Sequence, residues 1–213
     1  MLAQEFIPEQ ELSEYSETDV EIRRALEKKG YKFLGAGVDQ SAYLEPDTGY
    51  VLKVFGSNKT DQFSPDHMMF VKWAKFSDAH SDNPFLPRFY GYDSFMFNGK
   101  RYLQIRQEAL QNIDGKIGEL LEVATDSIEH FGMDFDTFVK LLPIEYDASF
   151  SDSYKKLAKQ IGVEGIRKLY TTMDQLLKIG DKQNWEFDLH RYNFMQRSDG
   201  TPVIVDPWVL PGS

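Results

Sequence analysis

The sequence predicts an α+β fold, with antiparallel strands in the first half of the chain and helices in the second. Two changes of hydrophobic period carry that expectation. From Tyr31 to Phe55, short apolar runs are cut by Gly35, Gly37, Pro46 and Gly49, which is a strand-and-turn pattern. From about Gln111 to Lys182, apolar residues recur every three or four positions, which is a helical pattern. The third observation is compositional: 41% of the 213 residues are hydrophobic and none is cysteine. A core must therefore form without disulfides or thiolate zinc sites, either as one sizeable core or as two small lobes sharing a cleft.

The elements follow in order. Residues 1–16, with Glu5, Glu9, Glu11 and Glu14, form an acidic arm. Thr18-Asp19-Val20-Glu21 has the form of a capping box, and Lys28-Lys29-Gly30 ends the helix that it starts. Strands are expected at Tyr31–Leu34, Ala42–Leu44 and Tyr50–Phe55, with a turn at residues 45–49. Gly56 to Ser64 is a polar linker. Ser64-Pro65-Asp66 then opens a helix running to about His80, with proline at its first position. Residues 83–92 give a loop and strand. Asn98-Gly99 marks a type I′ turn between Phe95 and Gln107.

Helical stripes follow at Ile113–Ala124, at Phe135–Leu142 (stopped by Pro143), at Tyr154–Ile161, and at Ile166–Ile179, ending at Gly180. These stripes are core positions. No internal repeat or low-complexity segment is visible.

Charge excludes several function classes. A formal net charge of −10 repels nucleic acid and anionic membrane. The four histidines are far apart and show no metal-binding spacing. No apolar run approaches the length of a transmembrane helix, and the acidic N-terminus is unlike a signal peptide. A cytoplasmic protein is expected. An acidic chain that binds a polyanion needs a local cation, and Lys53 stands within the apolar run Val51-Leu52-Lys53-Val54-Phe55. A buried cation is costly unless an anion meets it, although a lysine on an edge strand can also snorkel to water.

The stretch from Trp185 to Trp208 holds the densest chemistry. It places Asp188 and, five residues on, Asn193 in a polar loop, turns at Ser198-Asp199-Gly200, and delivers Asp206 at the end of Val203-Ile204-Val205. Folded back on itself, such a hairpin can bring Asp188, Asn193 and Asp206 to one pocket. Two carboxylates and an amide oxygen are hard ligands suited to Mg²⁺ and a polyphosphate.

Asp-Leu-His-x-x-Asn followed by a strand ending in Asp resembles the protein-kinase-like superfamily, closest to its aminoglycoside and choline kinase branch. The resemblance implies a bilobal fold, with an antiparallel N-terminal sheet, one packed helix and a mainly helical C-lobe. It implies ATP and Mg²⁺ as cofactors, and a small-molecule or protein acceptor bearing a hydroxyl. Asp188 would accept the hydroxyl proton, and Asn193 and Asp206 would hold the metal. Gly35 and Gly37 would cover the phosphates, and Lys53 would pair with them. Val51, Glu108, Leu110 and Met195 would surround the adenine. His190 would either orient Asp188 or pack.

The implied boundaries are an N-lobe over 17–106, a hinge over 107–111 and a C-lobe over 112–213. The chain departs from the family pattern at four points. Gln40 replaces a third glycine, and Glu186 replaces a histidine. Pro207 follows the metal-binding Asp, and no Glu occurs between Ser64 and His80 to pair with Lys53. Two further functions thus stand beside the phosphotransferase: a pseudokinase-like module that binds nucleotide or protein without turnover, and an acidic interaction protein. The acidic residues between Asp114 and Asp136 suit a cationic acceptor or simply a solvated face.

Overall fold

The structure, a computed structural model, describes residues 17–36, 40–56, 65–146 and 148–211, the side chains of 17–19 and 65–67 excepted. The acidic arm, Gly37, most of the polar linker and the capping-box side chains through Asp19 lie outside them. Among the described residues the chain is α+β, with five helical runs and a five-stranded antiparallel sheet. It divides into two compact units, one of residues up to 81 with 87–109, the other of 82–86 with 110 onward. No described helix is long and apolar enough to cross a membrane.

The first unit is built on the sheet. Its strands are β1 (Lys32–Ala36), β2 (Gln40–Leu44), β3 (Tyr50–Gly56), β4 (Phe89–Phe97) and β5 (Lys100–Glu108), in the order β1-β2-β3-β5-β4. The last two form the predicted hairpin, with Asn98 at φ 49° and Gly99 at φ 77°, the left-handed pair a type I′ turn requires. Central β3 is buried on both faces because each face meets a helix. Leu52 and Val54 point one way and pack with Tyr43, Tyr102 and Ile22 of α1 (Glu17–Lys28). Val51, Lys53 and Phe55 point the other way, where the Phe55 ring lies 5.3 Å from that of Phe70 on α2 (Pro65–Ala79). Period-2 alternation thus puts Lys53 on the α2 side.

The second unit is helical. Its runs are α3 (Gly115–Phe131), α4 (Phe135–Glu145) and α5 (Ala148–Gln183). Ile117, Leu157, Leu169 and Leu176 are fully buried, as their helical spacing predicts. The third and fourth predicted helices form one run broken at Gly162, whose φ of 74° and ψ of 161° only glycine adopts without strain.

Two predicted ends move. Pro143 does not stop α4, which continues to Glu145. The ring removes a single hydrogen bond in the last turn, so its cost is confined there. Nor does α5 stop at Gly180; it runs to Gln183, and Asn184 supplies the left-handed residue at φ 56°. Gly180 serves packing instead. A Cβ on it would lie 3.2 Å from both Cδ1 and Nε1 of Trp208, and that ring is fixed by its Nε1–H donating to the Leu176 carbonyl at 3.0 Å.

Two short β arrangements complete the unit. In one, β6 (Gln111–Asn112), β8 (Phe194–Gln196) and β9 (Pro202–Ile204) lie in the order β6-β8-β9. In the other, β7 (Glu186–Phe187) pairs with β10 (Trp208–Val209). Residues 82–86, expected as part of a loop leading into β4, belong here: Ile204 N–H donates to the Phe85 carbonyl at 2.9 Å, and the Arg197 guanidinium donates to the Pro84 and Leu86 carbonyls.

Gly180→Ala should lower stability by ~1–3 kcal/mol, the usual cost of overpacking, although alanine ordinarily favours a helix interior. Urea denaturation reads this, and a gain in stability would show that Trp208 can shift. A second expectation concerns Asp114, which accepts from the N–H groups of Lys116 and Ile117 at the start of α3 and from Lys156 Nζ at 2.8 Å. The Lys156 ammonium and those N–H groups hold its carboxyl below the usual carboxylate range. A lowered folded-state value adds stability that is present above the unfolded pKa of ~3.9 and lost as pH falls through the folded one. Asp114→Ala should thus cost ~1 kcal/mol at pH 7, and the difference from wild type should shrink below about pH 4.

Candidate functional site

The Trp185–Trp208 segment folds back as its sequence suggests, and backbone hydrogen bonds set where its polar residues fall. Asp188 N–H donates to the Pro207 carbonyl at 3.0 Å, and Val205 N–H donates to the Asn193 carbonyl at 2.9 Å. Pro207 and Val205 are the two chain neighbours of Asp206. Each flank of Asp206 is therefore tied to one of the other two candidate residues, which brings Asp188, Asn193 and Asp206 together. All three are half-buried.

A single turn, Arg191–Asn193, carries the chain from Asp188 to Asn193. The Asn193 carboxamide closes it: Nδ2 donates to the Asp188 carbonyl at 2.6 Å and approaches Asp188 Oδ2 at 3.3 Å. A backbone carbonyl only accepts, so the NH₂ end of the amide must face inward. The amide oxygen is the end left to ligate a cation. His190, which could have been a packing residue, has polar contacts on both ring nitrogens. Nδ1 accepts from Tyr192 N–H at 3.2 Å, and Nε2 lies 3.2 Å from Asn193 Nδ2 and 3.8 Å from Asp188 Oδ2. The sequence signal for this is the two-residue spacing to Tyr192, a common cap geometry. The donor set of two carboxylates and one amide oxygen fits a hard divalent cation such as Mg²⁺.

Of the predicted adenine contacts, the second unit brings Leu110 and Met195 together. Leu110, Val203 and Val205 form an apolar cluster against which Met195 packs. Glu108 lies in the first unit. Its backbone N–H donates to the Arg88 carbonyl at 2.9 Å, and its carboxylate accepts from Arg88 N–H at 2.8 Å.

In the first unit, Gly35 faces Ala42 just past an irregularity in the β1–β2 ladder. Val51 and Lys53 share one face of β3, Lys53 standing between Ala42 and Ile105. Lys53 is 9% exposed, and its Nζ sits 4.4 Å from the centre of the Phe70 ring. At the place where the resemblance expects a helix Glu, α2 presents an aromatic face. That is a cation–π contact, which partly compensates a desolvated ammonium.

Two glutamines, Gln40 and Gln107, lie on the same sheet face, a placement the sequence does not signal. Register places Gln40 opposite Phe55 and Gln107 opposite Val51. Their carboxamide oxygens are buried without a hydrogen-bond partner. Glutamine in a strand carries no spacing signal, so only the fold reveals them. An unmet buried acceptor costs ~1–3 kcal/mol.

No model of a known protein family matches the chain, and no curated protein sequence matches it.

Gln107→Leu removes one unmet acceptor at nearly constant volume, so stability should rise by ~1 kcal/mol. The urea midpoint measures this, and a loss of stability would show that the amide is satisfied in solution.

Proposed function

We propose that the chain is an ATP- and Mg²⁺-dependent phosphotransferase acting on a hydroxyl acceptor, with a bilobal protein-kinase-like fold. The observation that carries this reading is the double backbone tie around Asp206, which joins it to Asp188 on one side and Asn193 on the other. An acidic hairpin with no function has no need to gather three hard ligands in this way.

In this reading the side chains divide the work. Asn193 Oδ1 and the Asp206 carboxylate hold Mg²⁺, which when bound neutralises phosphate charge. Asp188 accepts the acceptor hydroxyl proton as its oxygen bonds to the γ-phosphorus and the bond to ADP breaks. Lys53 neutralises phosphate oxygens, and its desolvation strengthens that attraction. Leu110 and Met195 offer an apolar surface to a base.

A pseudokinase-like module is the second reading. It is favoured by the departures from the family pattern at Gln40 and Glu186 and by the absence of a Glu between Ser64 and His80.

Phosphate release from Mg-ATP separates the two. Asp188→Asn should slow it ~10²–10⁴-fold, as loss of a general base does. Asp206→Ala should slow it ~10²–10³-fold. Equal rates in wild type and both variants would remove the catalytic assignment. A thermal shift by Mg-ATP without turnover would leave the binding module.

A further inference from the structure

We propose that Gln107 selects an adenine nucleotide: its side-chain carboxamide oxygen accepts a hydrogen bond from the 6-amino group of the base. The proposal rests on the phosphotransferase reading and adds to it the atom that tells one purine from another.

Sheet register fixes where the carboxamide stands. Gln107 lies in β5, opposite Val51 of β3 on one side and Phe89 of β4 on the other. Directly opposed residues of antiparallel strands project to the same face, so Gln107 shares the α2 side with Val51 and Lys53. The row that holds Lys53 is two residues further along β3, ~7 Å away at the strand rise. A nucleotide carries its phosphates and its base on opposite sides of the ribose. One sheet face can therefore meet both, the phosphates at Lys53 and the base at Val51 and Gln107.

Burial makes the oxygen a recognition group. Gln107 is 4% exposed, and its Oε1 has no hydrogen-bond partner among the described residues. Its cross-strand neighbours, Val51 and Phe89, have hydrocarbon side chains with no proton to donate, and the Phe89 ring packs edge-on to Phe70 of α2 at 6.1 Å. A carboxamide oxygen only accepts, so the group that completes it must carry an N–H or O–H. Adenine offers an amino group at its 6-position, whereas guanine presents a carbonyl oxygen there. Against Oε1 that carbonyl sets acceptor facing acceptor. Gln40, the other unmet acceptor, stands opposite Phe55, four residues from Val51 and ~13 Å away along the strand. It cannot reach the same group. A glutamine that only filled the sheet face would gain stability by losing its amide. One that reads a base keeps the amide at that cost.

Binding measured by titration calorimetry tests the assignment, with Mg-ATP and its 6-deamino analogue, purine riboside triphosphate, as probes. Wild type should bind ATP ~10–100-fold more tightly, the range expected when a buried acceptor loses its donor. Gln107→Leu should weaken ATP, leave the analogue nearly unchanged and so bring the two affinities together. Its urea midpoint shows that it is folded. Equal affinities in wild type would overturn the proposal, as would a full preference for ATP in Gln107→Leu. A wild type that prefers GTP would overturn it too, by showing that the NH₂ end of the amide faces the base. Phosphate release from both nucleotides with equal kcat/KM would remove the role of Gln107 and leave the phosphotransferase standing. A preference for ATP without turnover would sink the phosphotransferase and keep Gln107 as the base reader of a binding module. A chain that binds neither nucleotide would overturn both.

Discussion

The candidate site depends on two backbone hydrogen bonds, Asp188 N–H to the Pro207 carbonyl and Val205 N–H to the Asn193 carbonyl. Each is worth only ~0.5–1.5 kcal/mol net, so they do not hold the unit together. What they do is geometric. They close the chain on both sides of Asp206, so that residue cannot move along the strand without breaking one of them. The energy that fixes the hairpin comes from elsewhere. Val203 and Ile204 are fully buried, Trp208 is clamped between Leu176 and Gly180, and residues 82–86 are strapped to β9 and Arg197. Packing supplies the stability, and the two weak bonds set the position.

What the sequence disclosed follows from the same division. Buried elements were readable because their side chains must alternate or recur. The three strands of 32–56 and the Asn98-Gly99 hairpin appear where they were expected, as do the four helical stripes of the second unit. The site hairpin was readable because a loop, a turn and a short apolar strand occur in sequence with acids at fixed places. Helix ends were less legible. Pro143 and Gly180 look like stop signals, yet the first falls where a missing N–H costs one bond and the second makes room for an indole. Which of these uses applies is decided by neighbours remote in sequence. The same is true of Phe70 against Lys53, of Arg88 against Glu108, and of Gln40 and Gln107, whose pairing is a property of register.

Within its own unit Lys53 presents a particular electrostatic problem. A buried ammonium in a chain of net charge −10 is expected to meet a carboxylate, and α2 brings it an aromatic ring. A ring face attracts a cation by ~0.5–2 kcal/mol, so the Phe70 contact offsets part of the cost of desolvating the ammonium. With no Glu between Ser64 and His80, the helix meets Lys53 with an aromatic ring in place of a long acidic side chain.

Pro207 makes the complementary point for the acidic side. Pro207 is one of the points at which the chain departs from the family pattern. Proline has no N–H to offer, yet the bond made at this position uses its carbonyl, which accepts from Asp188. Its ring also restricts the preceding residue to extended backbone angles. That preceding residue is Asp206. A proline here therefore narrows the conformations open to the carboxylate-bearing residue before either backbone tie forms, lowering the entropy lost when the hairpin closes. Ordering of Asp206 is then built into the covalent chain.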